Sequence, residues 1–528
     1  MTDDSNKAAR APEPADDKSR DLPRRQFLKT AGAGAGLLLV GGGDIPGIHP
    51  ASNPHPTVAP TAASPEVVVI GAGGGGSFTA YNLRKRGVKV TLVDAYGPGN
   101  ARSTSGDETR GVRSSYGDRT GIQGEQWTLL ARKSMTMWKE FDAEWGKPLR
   151  LNLFHVTGDL IMRTEWDSFM LRTKVWWDKN KIPYSVLNPD DVRKAFPVIS
   201  MDDITAVLYE PDAGVVRARR AAQAAAAAFE ALGGKIVIGR ATPGRVVDGK
   251  LTEVKLDTGQ TLRADTFVFC VGPWLGKTFP DIFEKKTRTP MGYVVYFATP
   301  INDHRFTYPN LPSYNFPGVT GWAALPVDNR GFRVRGTERA PVPPAVADSL
   351  ARLDSTRTAQ GRGAAPGDTT RAGRGGGRGN GGGGGGRGGQ QNQQPVDPKQ
   401  ADPDTSDRWA DQSRVDGSRR FVAHRFPLLK DAPVAQTHSC HYESTVSNNF
   451  IIDVHPKMLN VWIAAGGNAE GFKQCPVIGE YVSGRVVGIE GDPALKTAFK
   501  IPEKDYPPPT PADSTRRPPP PSTFQDQE

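Results

Sequence analysis

Three glycines near the start of the chain have the spacing of a site that binds phosphate groups. Gly71, Gly73 and Gly76 form a G-x-G-x-x-G pattern directly after the β-branched run at 67–70. The first glycine permits a tight turn, the second lets the backbone approach a pyrophosphate, and the third lets a helix pack closely on the strand. The N-terminus of that helix offers unpaired N–H groups and the positive end of its dipole to the phosphates.

Asp94 lies where a dinucleotide-binding unit carries an acid for a ribose hydroxyl. The pattern predicts a strand at 67–70, a helix at 78–86 and a strand at 88–93, an order that makes a parallel strand pair with a crossover helix. An acid at the end of the second strand disfavours a ligand with a 2′-phosphate, such as NADP. These residues predict a dinucleotide site rather than a structural turn, but the motif alone does not choose between NAD and FAD.

A polar segment at 103–117 adds groups that could contact such a ligand. It reads Ser-Thr-Ser-Gly-Asp-Glu-Thr-Arg-Gly-Val-Arg-Ser-Ser-Tyr-Gly, with donors at Arg110, Arg113 and Tyr116. Arginine and tyrosine donors in a Gly/Ser-rich stretch could clamp an anion or lie against an electron-accepting ring. A solvated polar loop is the alternative interpretation.

Two later segments complete a pattern that is similar to a known superfamily. The segment at 439–445 reads Ser-Cys-His-Tyr-Glu-Ser-Thr, and the segment at 466–473 reads Gly-Gly-Asn-Ala-Glu-Gly-Phe-Lys. With 103–117 and the Val-Gly-Pro-Trp turn at 271–274, they resemble the D-amino-acid oxidase and sarcosine oxidase superfamily. The resemblance is closest to the sarcosine oxidases and their relatives, the pipecolate and N-methyl amino-acid oxidases, and it spans residue 66 to about residue 488.

The resemblance implies that the dinucleotide is FAD, and it assigns roles to individual residues. Cys440 of the Cys-x-Tyr sequence would carry the flavin through a thioether, and Tyr442 would face the substrate. Arg110 and Lys473 would lie beside the flavin, where Lys473 would activate oxygen or stabilise the reduced flavin. The cofactor-binding residues implied by the phosphate motif and the resemblance together are Gly71, Gly73, Gly76, Asp94, Ser105, Gly106, Thr109, Arg110, Gly272, Trp274, Cys440, Gly466, Gly471, Phe472 and Lys473.

Two departures from the family pattern concern the substrate and the electron acceptor. Glu470 stands where the family has a histidine before Gly-Phe-Lys, and Ala469 replaces a glycine. A carboxylate there suits a cationic amine, which Glu470 could bind or deprotonate. The family's oxygen-activating lysine falls within 331–336, where the candidates Arg333 and Arg335 keep the positive charge but change its geometry and hydration.

The implied function is FAD-dependent oxidation of a C–N bond in a secondary amine or amino acid to an imine, with oxygen as acceptor and hydrogen peroxide as product. One alternative is a dehydrogenase of the same fold that passes electrons to a quinone or a periplasmic carrier. Another, from a different class, is a flavin-retaining binding protein that acts through a basic, glycine-rich insertion. The Cys-x-Tyr and Gly-Phe-Lys sequences disfavour it, because binding alone needs no flavin tether.

The predicted strands and helices that position these residues indicate an α/β protein. We expect a Rossmann-type FAD-binding domain with a parallel sheet that is discontinuous in sequence, and an α+β substrate domain with a mixed sheet. An alanine-rich helix is predicted at 218–232 and a closing helix at 479–487. Further strands are predicted at 235–238, 251–256, 266–270, 450–452 and 461–464. The predicted boundaries are a signal region at 1–50, a linker at 51–65, FAD-binding segments at 66–150, 214–282 and 436–492, substrate segments at 151–213 and 283–435, a disordered insertion at 340–413, and a disordered Pro-rich tail at 503–528.

The N-terminal region has the composition of an export signal. Paired arginines at 24–25 precede a short apolar run at 31–40, an order that resembles a twin-arginine signal. The resemblance implies a periplasmic or otherwise exported protein that engages the twin-arginine export machinery. The run is shorter than the roughly 20 apolar residues of a membrane span, so no span is expected beyond a retained signal anchor.

The charge distribution and the cysteine content indicate which classes of ligand and partner to expect. The formal net charge of +10 comes from basic residues interspersed with acids, and the glycine stretch of the insertion lacks aromatics, so nucleic acid is not the expected partner. Cys270, Cys440 and Cys475 are too few and too scattered for a metal cluster or a disulfide framework, and no metal is expected. The expected partners are a small amine or amino acid and either oxygen or an electron carrier.

Overall fold

The computed structural model describes residues 65–326, 330–336 and 402–507. The signal region at 1–50, the linker up to residue 64, the insertion up to residue 401 and the tail after residue 507 lie outside the described residues. The predicted twin-arginine signal and its route of export therefore stay predictions.

The described strands and helices follow one another as mixed α/β structure. The strands are β1 (Glu66–Ile70), β2 (Lys89–Asp94), β3 (Arg110–Val112), β4 (Phe154–Val156), β5 (Asp159–Arg163), β6 (Ser185–Leu187), β7 (Ala206–Glu210), β8 (Gly214–Val216), β9 (Lys235–Ile238), β10 (Ala241–Pro243), β11 (Val246–Val247), β12 (Lys250–Leu251), β13 (Glu253–Leu256), β14 (Thr261–Arg263), β15 (Thr266–Phe269), β16 (Thr287–Arg288), β17 (Met291–Phe297), β18 (Ser313–Phe316), β19 (Val319–Trp322), β20 (Phe332–Gly336), β21 (Val434–His441), β22 (Ser444–Thr445), β23 (Ile451–His455) and β24 (Met458–Ala465). The helices are α1 (Gly74–Lys85), α2 (Gly121–Phe141), α3 (Ser168–Lys179), α4 (Pro189–Ala195), α5 (Ala218–Ala231), α6 (Leu275–Thr278), α7 (Pro280–Phe283), α8 (Gln412–Arg425), α9 (Cys475–Val486) and α10 (Pro493–Ala498).

One sheet has the order β23-β24-β15-β1-β2-β9, and its strands come from distant parts of the chain. The pairings from β24 to β9 are parallel, whereas β23 runs antiparallel to β24 at the edge. Strand β1 is buried on both faces, because Val67 and Val69 join one core cluster and Val68 and Ile70 join another. Helix α1 packs against α5 and α9 over the first of these clusters.

A second sheet has eight strands in the order β21-β17-β20-β19-β18-β5-β7-β6. It is mixed, because β18 pairs with β5 in parallel and its other pairs are antiparallel. Its core includes the buried rings of Tyr314, Phe332, Phe421 and Phe426, which lie against one another. The predicted fold class, a discontinuous Rossmann-type domain with a mixed-sheet substrate domain, is confirmed.

Two segments that were predicted to be disordered are ordered in part, so the prediction is wrong for those residues. Residues 402–413 were expected to be disordered, yet Asp402 and Asp404 form ion pairs with Lys277, and the side chain of Asp411 caps helix α8. The tail was expected to be disordered from residue 503, but the Tyr506 N–H donates to the carbonyl of Lys285 at 2.8 Å. Charge pairing and capping order these stretches, which composition alone does not reveal.

The closing helix begins earlier than predicted. It starts at Cys475 rather than residue 479, because Pro476 fits the first turn of a helix, where its missing N–H costs nothing. The predicted strand at 251–256 is divided between β12 and β13. Among the described helices, none combines the length and the hydrophobicity that crossing a membrane requires.

Candidate active site

A cavity of about 500 Å³ opens where strands β1, β15 and β24 end. Gly71 follows β1, Gly272 lies just beyond β15, and Gly467 lies just beyond β24. In open parallel sheets, ligands bind in the crevice outside the carboxyl ends of the strands. The residues predicted to bind the cofactor that line this cavity are Gly71, Gly73, Asp94, Ser105, Arg110, Gly272, Trp274, Gly471 and Phe472, together with Tyr442.

A smaller cavity of about 50 Å³ adjoins the larger one. The two share Arg110, Tyr442 and Phe472 in their walls. The remaining predicted catalytic residues, together with the predicted tether, line the smaller cavity; they are Arg333, Cys440, Glu470 and Lys473. The sequence-predicted residues therefore converge on two neighbouring spaces.

The phosphate motif has the backbone geometry that its glycines predict. Gly71 has a φ of +101°, and a Cβ atom there would lie 2.4 Å from the carbonyl oxygen of Cys270. A Cβ atom on Gly76 would lie 1.8 Å from the carbonyl oxygen of Gly71. The close helix–strand packing expected at Gly76 is confirmed, and helix α1 begins at Gly74 with its N-terminus at the cavity.

The carboxylate of Asp94 organises the turn beside this motif. It accepts hydrogen bonds from the N–H groups of Ala72 at 2.7 Å and of Tyr96 at 2.8 Å. Burial raises the pKa of the Asp94 carboxyl, although these backbone N–H groups act in the opposite direction. Asn100 Nδ2 also donates to this carboxylate, at 3.3 Å, and Asp94 lies on the cavity wall where a ribose hydroxyl can approach it.

Four residues predicted to bind the cofactor line neither cavity and instead shape the backbone; they are Gly76, Gly106, Thr109 and Gly466. A Cβ atom on Gly106 would lie 2.0 Å from the carbonyl oxygen of Asn100. The Thr109 hydroxyl accepts a hydrogen bond from Trp322 Nε1 at 3.2 Å. Within the described structure these residues support the cavity walls rather than present groups to a ligand.

Arg110 connects the two cavities to the predicted tether. Its guanidinium pairs with Asp107 and donates to the carbonyl of Thr104 at 2.9 Å. It also lies 3.5 Å from the sulfur of Cys440, a residue that is 8% exposed. Burial raises the pKa of Asp107, but the positive charges of Arg110 and Arg333 lower it by more than burial raises it. This carboxylate therefore stays charged. Nothing in the residue spacing around Asp107 indicates this role.

Arg333 is a buried cation whose hydrogen-bonding capacity is only partly used. It is 1% exposed, and its guanidinium carbon lies 4.0 Å from the ring centroid of Trp322. Its Nη2 lies 3.5 Å from Asp107, while Nε and Nη1 have no hydrogen-bond partner among the described residues. Burial lowers the pKa of Arg333, and Tyr296 and Asp107 oppose that effect.

Glu470 and Lys473 form an ion pair in the smaller cavity. Burial raises the pKa of the Glu470 carboxyl, but Lys473, Arg113 and Arg335 lower it more, and it falls to about 2. Burial lowers the pKa of Lys473, and Glu470 partly offsets this. Glu470 is therefore a charged acceptor at neutral pH.

Arg113 and Arg335 bring further positive charge to the same cavity. Within the described residues, neither arginine forms an ion pair or a side-chain hydrogen bond. Burial lowers the pKa of Arg113, but Asp159 and Glu470 raise it more, so its guanidinium remains charged. Guanidinium groups that lack protein partners can bind a carboxylate in a bidentate manner.

The ordered end of the insertion packs beside the larger cavity. Asp404 accepts hydrogen bonds from Trp274 Nε1 and from Arg240, each at 2.8 Å, and Trp274 and Arg240 both line the cavity. Farther along, Arg408 Nη1 lies 2.9 Å from Nδ1 of His441, the residue after Cys440. We call residues 402–408 the strap, because they join the cavity wall to strand β21.

The residues present fit FAD. Gly71 and Gly76 leave no room for a Cβ atom, the larger cavity extends from Asp94 to Tyr442, and the smaller one adjoins it beside Cys440. No group of three or more side chains suited to holding a metal ion occurs in the described part of the chain.

Comparison with known proteins agrees with this geometry. The chain is similar to a monomeric sarcosine oxidase from Bacillus sp. (strain B-0618), with 25% identity over 434 residues that cover 79% of this chain and 91% of the relative. The peroxisomal sarcosine oxidase of Homo sapiens is 23% identical over 419 residues, which cover 79% of this chain and 90% of the relative. The crystal structure of a fructosyl peptide oxidase thermally stable mutant matches with a TM-score of 0.62 and 21% identity, over 84% of this chain and 94% of that one. That structural likeness shows the fold.

The sequence pattern of one family covers most of the chain. The family described as DAO, FAD dependent oxidoreductase, matches residues 66–485, the stretch that carries both cavities. The chain therefore belongs to this family and is an FAD-dependent oxidoreductase.

Proposed function

We propose that the protein oxidises a C–N bond of a secondary amine or amino acid to an imine, which water then hydrolyses. The observation that carries the proposal is the cavity containing Glu470, Lys473 and Arg113 directly beside the cavity that fits FAD. When bound, FAD accepts the two electrons released as the C–H bond next to nitrogen breaks. The similar sarcosine oxidases support an amine substrate, since sarcosine is a secondary amine that bears a carboxylate.

The charges in the smaller cavity support recognition of both ends of an amino acid. Arg113 and Arg335 are available to bind a carboxylate, whereas the charge of Lys473 is already balanced by Glu470. The Glu470 carboxylate can attract the amine. With a pKa near 2 it is a poor proton acceptor, so it binds and orients the amine rather than deprotonating it.

Covalent attachment of the flavin at Cys440 is part of the proposal. Cys440 and Tyr442 are two residues apart, and both line the smaller cavity. Arg110, which lines both cavities, lies 3.5 Å from the Cys440 sulfur, so the thiol lies where the two cavities meet.

Oxygen is the proposed final acceptor, which would yield hydrogen peroxide. The observation that favours the alternative, a dehydrogenase with a quinone or protein acceptor, is Arg333. Its guanidinium is held against Trp322 and is larger and less strongly hydrated than a lysine ammonium group. Reoxidation of the substrate-reduced enzyme by dissolved oxygen and by a soluble quinone, compared by stopped flow, separates the two.

We also propose export by the twin-arginine route, which the paired arginines at 24–25 support. Replacing both with lysine should retain the protein in the cytoplasm, measured by fractionation and immunoblotting. Continued export of the double variant would contradict the proposal.

The test of the reaction is anaerobic mixing of the holoenzyme with a panel of secondary amines and amino acids. A substrate should bleach the flavin absorbance, and admission of air should then produce peroxide if oxygen is the acceptor. Arg113→Gln should raise KM at least tenfold for carboxylate-bearing substrates, whereas Arg263→Gln, at an exposed position, should not. Failure of every N-methyl or secondary amine to bleach a protein that contains flavin would overturn the proposal.

A further inference from the structure

Glu443 is a carboxyl group on the wall of the larger cavity to which neither the phosphate motif nor the family pattern assigns a role. It lies between the turns that follow two neighbouring parallel strands, β15 and β24. Its Oε1 accepts a hydrogen bond from the Gly467 N–H at 3.0 Å. Its Oε2 faces the other turn, where a Cβ atom added to Gly272 would lie 3.5 Å away. The carboxyl group is therefore fixed above the carboxyl ends of both strands.

The order of strands shows which part of the cavity Glu443 occupies. The strands run β24-β15-β1-β2 along the cavity. Gly71 after β1 and Asp94 at the end of β2 form the phosphate and ribose side. Glu443 lies beside Gly467 at the opposite side, and its chain neighbour Tyr442 borders the smaller cavity. The redox-active half of the dinucleotide belongs at that side, because the substrate cavity opens there.

We propose that Glu443 is a cofactor-binding residue that forms a hydrogen bond with the flavin half of FAD. A polar group taken out of water is destabilising unless it gains a hydrogen-bond partner, and one carboxyl oxygen is already committed to Gly467. Burial raises the pKa of Glu443, and the backbone N–H of Gly467 opposes this only in part. A protonated carboxyl group can donate as well as accept a hydrogen bond.

Glu443 differs in chemistry from the other groups at this end of the cavity. Among the described residues that line this cavity, the acids are Asp94 and Glu443, and Asp94 lies at the ribose side. Tyr442 and Arg110 are also polar, but at this end the carboxyl group is that of Glu443. The inference rests on FAD binding and on the proposed use of the smaller cavity for substrate, whatever the identity of the substrate and of the final electron acceptor.

The experiment measures FAD affinity in full-length protein carrying Cys440→Ala, so that a thioether cannot mask a loss of affinity. Glu443→Ala should weaken FAD binding by about tenfold, which corresponds to about 1.4 kcal/mol. Glu443→Gln, which keeps the size and a hydrogen-bonding group, should stay within about threefold of its parent. Glu230→Ala, which removes an exposed carboxylate on helix α5, is the matched control and should leave the affinity unchanged.

Unchanged FAD affinity in a folded Glu443→Ala variant would overturn the inference. If that variant does not fold, the two-electron midpoint potential of Glu443→Leu, which keeps a similar size but removes the hydrogen-bonding group, decides in the Cys440-containing enzyme. A shift of at least about 14 mV supports contact with the flavin. It corresponds to a threefold change in the ratio of the affinities for oxidised and reduced flavin. A midpoint potential and flavin spectrum identical to those of the unmodified enzyme would overturn it. Neither readout depends on whether an amine is the substrate.

Discussion

The Glu470 carboxylate and the Lys473 ammonium group are paired on the wall of the smaller cavity, where Glu470 immediately precedes the 3₁₀ turn Gly471–Gln474 that contains Lys473. The pairing determines which charged groups of the cavity are available to a substrate. Lys473 no longer provides a net positive charge, whereas Arg113 and Arg335 keep theirs. Glu470 adds a negatively charged acceptor, whereas a histidine ring is neutral or positively charged.

The first prediction concerns Glu470→Gln. Loss of the carboxylate should raise KM for an amine substrate about tenfold with a smaller effect on kcat, because an attraction made in the ground state is lost. It should also free Lys473 and improve binding of anionic, non-amine inhibitors. Steady-state kinetics and inhibition constants check both effects. Glu480→Gln, at an exposed partner of Lys133, is the control. Equal KM values in Glu470→Gln and the unmodified enzyme would contradict a binding role.

A second prediction follows from the pKa of Glu470. Its folded value of about 2 lies below the usual value of about 4.3, so the charged form is favoured in the folded protein. The resulting stabilisation is complete above the usual pKa and is lost as the pH falls toward 2. Between pH 5 and 9 the carboxylate does not titrate. The acidic limb of the kcat/KM profile should therefore be the same in Glu470→Gln, and a shift of that limb would identify Glu470 as the titrating base.

The third prediction concerns the flavin tether. Acid precipitation of the unmodified protein should leave yellow colour in the pellet, and Cys440→Ala should release all of it into the supernatant. Cys270→Ala should retain the pellet colour, because burial raises the pKa of Cys270 to about 12 and keeps it an unreactive thiol. Spectra of the two fractions provide the measurement. Release of flavin from the unmodified protein would show that the cofactor is held without a covalent bond.

The sequence predicts the parts of this site that depend on local spacing. The turn at Gly71, the close approach at Gly76 and the order of strand, helix and strand follow from backbone sterics within about 30 residues. Such contacts can be read from a single sequence because few alternatives compete with them. The pairing of Glu470 with Lys473 is also local, across three residues, but the sequence assigned the two side chains separate roles and the pair was not predicted.

Contacts between distant segments could not be predicted in the same way. Asp404 follows a glycine-rich stretch whose composition indicates no packing, yet it binds Trp274, which is 130 residues away in sequence. Glu443 gains its position from two turns that meet only when β15 and β24 pair. Nothing in the spacing around either acid indicates its partner, because the partner is fixed by the sheet order.

The strap supplies the fourth prediction. Asp404→Ala should weaken FAD retention in the Cys440→Ala background, because Trp274 and Arg240 lose the carboxylate that fixes them at the cavity wall. Burial raises the pKa of Asp404, but Lys277, Trp274 and Arg240 together lower it by more than burial raises it. The contact of the Asp404 carboxylate with Trp274 and Arg240 is therefore present above about pH 4 and is lost in stronger acid. Dissociation rates of FAD at pH 7 should rise severalfold. Asp407→Ala, on the same strap, is the control, and equal rates in the two variants would contradict a clamping role for Asp404.

The last prediction compares two adjacent glycines of the phosphate motif. Gly76→Ala forces a Cβ atom to within 1.8 Å of the Gly71 carbonyl oxygen, so helix α1 must move away from strand β1, at a cost of roughly 1–3 kcal/mol or more. A Cβ atom on Gly75 meets nothing within 4 Å, and alanine in a helix is favoured over glycine by about 0.5–1 kcal/mol. Chemical denaturation of the two apoproteins should give changes of opposite sign. Because Gly75 also lines the cofactor cavity, Gly75→Ala should bind FAD more weakly although its apoprotein is at least as stable. Equal stability losses in both variants would mean that the strand and the helix are not in the close contact on which the phosphate turn depends.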